Sequence, residues 1–489
     1  MASSIKNSRI VPIYYSDILS QFLSKTRDNK IEFTANNIEY KFSSGKKGLY
    51  DFTFKEESGR LVGIMAKIAV IGAGYVGLTT GACLAYLGHD VVIADNNNGR
   101  VESLRAGKIP FYEPGLDELV SDVVKSKKLS FVLGASNASE NAEFHFLCLP
   151  TPANSDGSSD LSFFEAGINE IVSVLQPNSI VINKSTVPLG TAKKLQESLA
   201  RTDVHVVSNP EFLSEGNAIR DFLEPSRIVI GANTRELSER VAELYLKVDA
   251  PVLTSSWESA ELIKHTANAF LAMKLTFVNE IATLCEMSGA DIEDVTDGIG
   301  HDPRIGTDYM KPGPGWGGSC FPKDSASLAQ VARSFGFDFT LLEHTIDLNQ
   351  KHLDRTARKV EEVIPSNHEK GKIAAWGLTF KAGTDDLRHS PAVEVLQRLE
   401  KADYEICAFD PTVKEKLPQL PSTIIENNPY KCVSGSDALV VLTEWKEFNQ
   451  IDMEKVASLM RNLNLIDSRN IFNRAEMENL GFTYIGMGT

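Results

Sequence analysis

The sequence predicts an α/β protein: two parallel-sheet domains joined by a long central helix and helical middle domain, with a small N-terminal extension. Three observations carry that prediction. Short apolar runs alternate with amphipathic segments on both sides of the chain's middle. The run from Trp257 to Ser288 contains neither proline nor glycine. Strand-like runs at Lys67 and Lys372 each lead through a glycine-containing loop toward a helical pattern.

The boundaries that follow are an extension over 1–64, a first domain over 65–255, a helical domain over 256–365 and a second α/β domain over 366–489. In the extension, positions 15–26 fit a short amphipathic helix. Positions 31–33, 38–42 and 49–54 fit short strands between Asn-Asn and Ser-Ser-Gly-Lys-Lys-Gly turns. No pattern there points to chemistry.

At 489 residues the chain exceeds one ordinary core. A composition of 42% hydrophobic and 24% charged residues is that of a globular protein. No apolar stretch has the length of a membrane span, and no basic-then-apolar secretory leader opens the chain, so a cytosolic protein without a membrane partner is expected. The net charge of −15 disfavours nucleic acid while leaving room for a small anion held by local Lys and Arg. Six cysteines without metal spacing argue for reduced thiols, with no disulfide framework and no metal site.

From Ala66, Lys67-Ile68-Ala69-Val70-Ile71 reads as a buried strand. Gly72-Ala73-Gly74-Tyr75-Val76-Gly77 then turns into a helix over 78–87, and Val91-Val92-Ile93-Ala94-Asp95 reads as the next parallel strand. Strand, G-x-G-x-x-G, helix and a later acid together make a Rossmann-like dinucleotide site. Gly72 permits the turn, Gly74 the approach of a pyrophosphate, and Gly77 close packing of helix on strand. Asp95 would accept from both ribose hydroxyls and repel a 2′-phosphate, which favours NAD over NADP; Arg100 lies near enough to complicate that preference.

Strands at 144–149, 179–183, 204–208 and 228–231, with helices at 163–175 and 191–199, continue a parallel sheet. Three polar segments follow strand ends, where open parallel sheets bind ligands: Pro150-Thr151-Pro152, Ser185-Thr186-Val187-Pro188 and Asn209-Pro210-Glu211-Phe212-Leu213-Ser214-Glu215-Gly216. On the long helix, Lys264 and Asn268 share a face at i, i+4. They are ordinary solvated residues unless that face looks toward a reacting group.

The candidate reacting group is Cys320, in Gly313-Pro314-Gly315-Trp316-Gly317-Gly318-Ser319-Cys320-Phe321-Pro322-Lys323-Asp324. Glycines crowd its approach, and the helical pattern beginning at Lys323 places it just outside a helix N-terminus. Free N–H groups and the helix dipole there favour a thiolate. Cys83, Cys148, Cys285, Cys407 and Cys432 read instead as small buried hydrophobes.

Helical patterns at 328–335 and 341–363 follow, then Pro365-Ser366-Asn367 as a linker. The second α/β domain has a strand at 372–377, a helix at 392–399 and strands at 404–409, 438–442 and 464–467. Its first loop carries Lys381 and Arg388 ahead of a helix, an arrangement suited to a phosphate or nucleotide. An ordinary charged loop is the alternative.

These motifs, with Tyr112-Glu113-Pro114-Gly115-Leu116 and Glu261-Leu262-Ile263-Lys264, recur in the order found in the UDP-glucose/GDP-mannose dehydrogenase family, which the chain resembles from Met65 almost to its end. The resemblance implies an NAD-binding domain, a helical dimerisation domain and a UDP-binding domain. It also implies a four-electron oxidation of a sugar's primary alcohol to the carboxylate with two NAD. Cys320 would hold the aldehyde as a thiohemiacetal and then a thioester.

The resemblance further implies that Lys264 and Asn268 stabilise oxyanions, that Asp324 handles water and protons, that Glu211 is the base for thioester hydrolysis, and that Thr186 holds the water. Tyr75, Val76, Arg100, Thr151, Thr186, Glu215 and Lys323 complete the cofactor set. Glu211, Phe212, Leu213, Tyr309, Lys311, Gly317, Lys381 and Arg469 join Lys264 and Asn268 at the substrate, and Arg304 comes from a neighbouring subunit of a homodimer or higher homo-oligomer. Phe212 to Gly216 and the Gly-Pro-Gly-Trp stretch point to UDP-glucose. Cys148-Leu149 and Trp316 depart from the usual valine and Phe or Tyr. The alternatives are a GDP-mannose or UDP-N-acetylhexosamine 6-dehydrogenase, a two-electron hydroxyacid dehydrogenase and a non-catalytic sugar-nucleotide-binding regulator.

Overall fold

A computed structural model describes residues 65–154, 156–364 and 371–489, and the backbone of four strands nearer the N-terminus. Those four pair as two antiparallel ladders, Ser4–Ile5 with Ile13–Tyr14 and Glu32–Lys41 with Lys47–Glu57. The helix expected at 15–26 and the linker at 365–367 lie outside the described residues.

The first domain is an eight-stranded sheet. Its strands in chain order are β1 (Lys67–Ile71), β2 (Asp90–Asp95), β3 (Leu129–Leu133), β4 (Phe144–Leu147), β5 (Ile180–Asn183), β6 (His205–Ser208), β7 (Ile228–Gly231) and β8 (Val252–Ser255). They lie in the order β8-β7-β6-β5-β4-β1-β2-β3. Alternation along β1 sends Ile68 and Val70 into one core layer, with Leu78 and Ala82 of helix α1 (Tyr75–Tyr86). It sends Ala69 and Ile71 into the other layer, with Phe164 and Ile168. Helices therefore cover both faces, and all four residues of each of β4, β5 and β7 are buried.

Two features correct the expected parallel sheet. β3 and β8 were not anticipated, and β7 meets β6 antiparallel through one pair, Ser208 with Gly231. The stretch between β6 and β7 holds only a short helix, Ala218–Leu223, so the chain turns back where a full crossover helix would have kept it parallel.

Helix α2 (Trp257–Ser288) spans the predicted residues. At 1.5 Å per residue it is about 48 Å long. The Ser256 hydroxyl caps its start by accepting from Ser259 N at 3.2 Å, and Gly289 ends it in the left-handed region at φ +76°. Helices α3 (Phe321–Ser334) and α4 (Thr340–Glu362) pack beside it.

The second sheet is six-stranded and wholly parallel. Its strands are β9 (Lys372–Trp376), β10 (Glu405–Phe409), β11 (Ile424–Glu426), β12 (Ala438–Val441), β13 (Asn464–Asp467) and β14 (Thr483–Gly486), in the order β11-β10-β9-β12-β13-β14. Ile373 and Ala375 enter one layer, Ala374 and Trp376 the other. The strands β11 and β14 were missed, the first being only three residues long. No helix among the described residues is long and apolar enough to cross a membrane.

Candidate active site

The cofactor end is built from backbone. Gly72 has φ +102°, and a Cβ there would strike the Cys148 carbonyl oxygen; one at Gly77 would strike the Gly72 carbonyl. Gly74, the residue preceding α1, has open space where its Cβ would stand, and no side chain caps that helix. The first N–H groups of α1, which have no partner within the helix, thus face a cradle suited to a pyrophosphate. Asp95, at the end of β2, accepts from Ala73 N and Arg100 Nη1, each at 3.0 Å, through Oδ2, and from Asn97 N at 2.9 Å through Oδ1. Arg100 is held by the acid expected to contact the ribose. These residues fit NAD.

One cavity of about 1160 Å³ runs from Asp95 and Arg100 past Thr151 and Thr186 to Glu211 and Cys320. Tyr75, Val76, Leu213, Glu215 and Lys323 also line it. The far end joins three elements. Cys320 is half-buried immediately ahead of α3, as the sequence predicts, with Ser319 Oγ 3.5 Å from its Sγ. From α2, Lys264 Nζ meets Glu211 Oε1 at 2.9 Å, and Asn268 Nδ2 donates to Asp324 Oδ2 at 2.6 Å. Lys323 Nζ meets Asp324 Oδ1 at 2.6 Å. The shared face of Lys264 and Asn268 therefore does look toward the Cys320 loop.

Electrostatics correct one expectation. The helix terminus does not make Cys320 a ready thiolate: burial is the largest influence and pushes the thiol up to about 11, with Glu211 and Asp324 adding to it and Lys264 opposing. For Lys264 burial works against the charge, but Glu211, Cys320 and Asp324 outweigh it and raise the ammonium above its ordinary range. Asp324 is fully buried, which acts to raise its carboxyl; Lys323, Lys264 and His265 reverse this and hold it low. Burial, then Asp386, pushes Glu215 up to about 7 against Arg388 and Thr384.

The Cys320 loop is fixed from both sides. Trp316 N donates to Asn349 Oδ1, and Asn349 Nδ2 donates to Trp316 O, both at 2.9 Å, while Trp316 Nε1 donates to Thr276 Oγ1 at 2.8 Å. The indole thus has a partner for the N–H that a Phe would lack. On the other side lies the 378–391 loop, close enough that a Cβ on Gly317 would strike the His389 carbonyl and one on Gly318 would meet Phe380 at 2.8 Å. From that loop Lys381 Nζ donates to Ser214 Oγ at 3.0 Å, and Arg469 packs against Gly313 while its Nε lies 3.1 Å from Glu444 Oε2. Arg227 stacks over Phe212, 3.8 Å from the ring centroid.

Two of the proposed substrate residues, Lys311 and Arg304, are exposed, the latter with Asp302 at 2.6 Å. Tyr309, in the left-handed region at φ +60°, packs beside Phe321, the neighbour of Cys320, with ring centroids 6.1 Å apart. Two residues were missed. Lys184 is buried, donates to Asn209 Oδ1 at 3.1 Å, and is lowered to about 8, chiefly by burial. Glu113 is buried between the cofactor turn and the 209–216 loop. Both lie inside or beside motifs already singled out, which was the available signal.

The comparisons with known proteins fall on the same frame. Models of the UDP-glucose/GDP-mannose dehydrogenase family match residues 66–249 (NAD binding domain), 258–351 (central domain) and 374–474 (UDP binding domain). The chain is 43% identical over 434 residues to the UDP-glucose 6-dehydrogenase of Rhizobium meliloti, covering 86% of this chain and 99% of the relative. It is 40% identical over 440 residues to that of Pseudomonas aeruginosa, covering 86% and 97%. Among solved structures, a UDP-glucose dehydrogenase from Pyrobaculum islandicum superposes with a TM-score of 0.80 at 33% identity, covering 88% of this chain and 100% of the other.

Proposed function

The chain belongs to the UDP-glucose/GDP-mannose dehydrogenase family, and from that premise we propose that it oxidises the C6 alcohol of UDP-glucose to the carboxylate, giving UDP-glucuronate. The observation that carries this reading is the continuity of one cavity from Asp95 to Cys320. A cofactor site and a nucleophile open on one space. Relatives named for UDP-glucose at 43% and 40% identity support the choice of sugar.

NAD, when bound, supplies a two-electron acceptor for each of two oxidations. In the first, a hydride leaves C6 and the alcohol proton passes to water beside Asp324, while Lys264 and Asn268 stabilise the oxygen. The Cys320 sulfur then adds to the aldehyde carbon and its proton passes to the aldehyde oxygen, giving a thiohemiacetal that cannot diffuse away. A second hydride and the hydroxyl proton leave to form the thioester. Glu211 takes a proton from water held near Thr186; the resulting hydroxyl adds, the C–S bond breaks, and the sulfur recovers its proton. Lys381 and Arg469 hold the nucleotide end.

We also propose a homo-oligomer. Phe270, Phe277 and Leu284 stand on α2 seven residues apart, each more than half exposed, which makes a stripe suited to a second copy. Arg304, exposed on the surface and paired with Asp302, would complete a neighbour's site.

Supplying UDP-glucose, UDP-N-acetylmannosamine and GDP-mannose separately with NAD tests the substrate. NADH formation at least about tenfold faster from UDP-glucose is expected, equivalent to about 1.4 kcal/mol in the transition state. Preference for either other sugar would overturn the assignment.

A further inference from the structure

We infer that Glu113 is a positioning residue that couples the cofactor site to the sugar site. This rests on the proposed function and concerns the Tyr112-Glu113-Pro114-Gly115-Leu116 motif, to which the mechanism assigns no role. Glu113 Oε2 accepts from Tyr75 Oη at 2.5 Å and from Gly216 N at 2.6 Å; Oε1 accepts from Ala218 N at 2.8 Å. Tyr75 is the first residue of α1, in the dinucleotide turn. Gly216 and Ala218 close the loop that carries Glu211, Phe212 and Glu215. A single buried carboxylate therefore clasps both loops.

All three partners are neutral donors, one phenol hydroxyl and two backbone N–H groups. The same motif reaches the third domain: Tyr112 N donates to Asp385 Oδ2 at 3.2 Å. Gly216 itself, at φ +81°, abuts Gly383, whose carbonyl oxygen would lie 2.7 Å from a Cβ at 216. A shift of the dinucleotide turn toward bound cofactor is thus transmitted through Tyr75 and Glu113 to Gly216, and from there to Glu215 and the 380–389 loop. Coupling of this kind is reciprocal, so a sugar nucleotide placed in its loop tightens the cofactor by the same factor.

The test is a binding cycle on the whole protein. The dissociation constant of UDP-glucose is measured by calorimetry with and without saturating NADH, for wild type, Tyr75→Phe and Glu113→Gln. NADH with UDP-glucose forms a complex that cannot react forward. Wild type is expected to bind UDP-glucose about fivefold or more tightly when NADH is present. In Tyr75→Phe, which removes one hydroxyl, that ratio falls toward one, and Glu113→Gln does the same. A variant that merely loosens packing weakens binding with and without NADH alike and keeps the ratio. A wild-type ratio near one, or an unchanged ratio in Tyr75→Phe, overturns the inference; should Glu113→Gln not fold, Tyr75→Phe decides alone. Wild type that binds no UDP-glucose sinks the substrate reading and the inference with it, an outcome distinct from intact binding with an unchanged ratio.

Discussion

Cys320 shows where local sequence stops and tertiary structure begins. Its position ahead of a helix was legible from Pro322, Lys323 and the apolar spacing that follows. Its protonation was not, because burial in the folded protein pushes the thiol to about 11, and Glu211, whose charge adds to the rise, lies more than a hundred positions away. A neutral thiol suits the chemistry proposed, since the sulfur can bring its own proton to the aldehyde oxygen. Inactivation of the free protein by iodoacetamide should accordingly be slow at pH 7 and climb close to tenfold per pH unit up to about pH 9, without a plateau. Lys264→Met removes the cation that favours the thiolate and should slow alkylation further at each pH. A plateau near pH 7 would contradict the burial argument.

Among the elements, periodicity identified the long helix to the residue, because Ser256 and Gly289 mark its ends and nothing inside breaks it. The antiparallel β7 was illegible: its residues alternate no differently from those of a parallel strand, and direction is set by the connection, not by composition. The Cys320 loop illustrates the intermediate case. Gly317 was placed at the substrate, but it also lies against the His389 carbonyl, so the absence of a side chain lets the Cys320 loop and the 378–391 loop meet. Gly317→Ala should therefore lower the melting temperature by several degrees and raise the KM for UDP-glucose more than that for NAD, measured by calorimetry and initial rates. An unchanged KM for the sugar would show that the contact is not transmitted to the site.

Across the whole molecule, the three family matches begin at residue 66 and follow one another through all three domains. The succession of parallel sheet, long helix and parallel sheet was legible in the sequence from the apolar runs and the unbroken stretch from Trp257 to Ser288; contacts between these parts, such as Tyr112 with Asp385, depend on how the folded pieces dock. Subunit contact belongs here too. Phe277→Arg places a charge in the exposed stripe of α2 and should shift the protein to monomer by light scattering, with activity falling at least about tenfold if Arg304 completes a neighbour's site. A fully active monomer would remove Arg304 from the substrate set.

The most direct test is the yield of NADH per UDP-glucose consumed to completion, with Cys320→Ser alongside. Two NADH per sugar, with the variant abolished or stalled at a covalent or aldehyde stage, is the result expected of an oxidation tethered through Cys320. One NADH per sugar, unaffected by the substitution, would contradict it and leave a simple alcohol dehydrogenase.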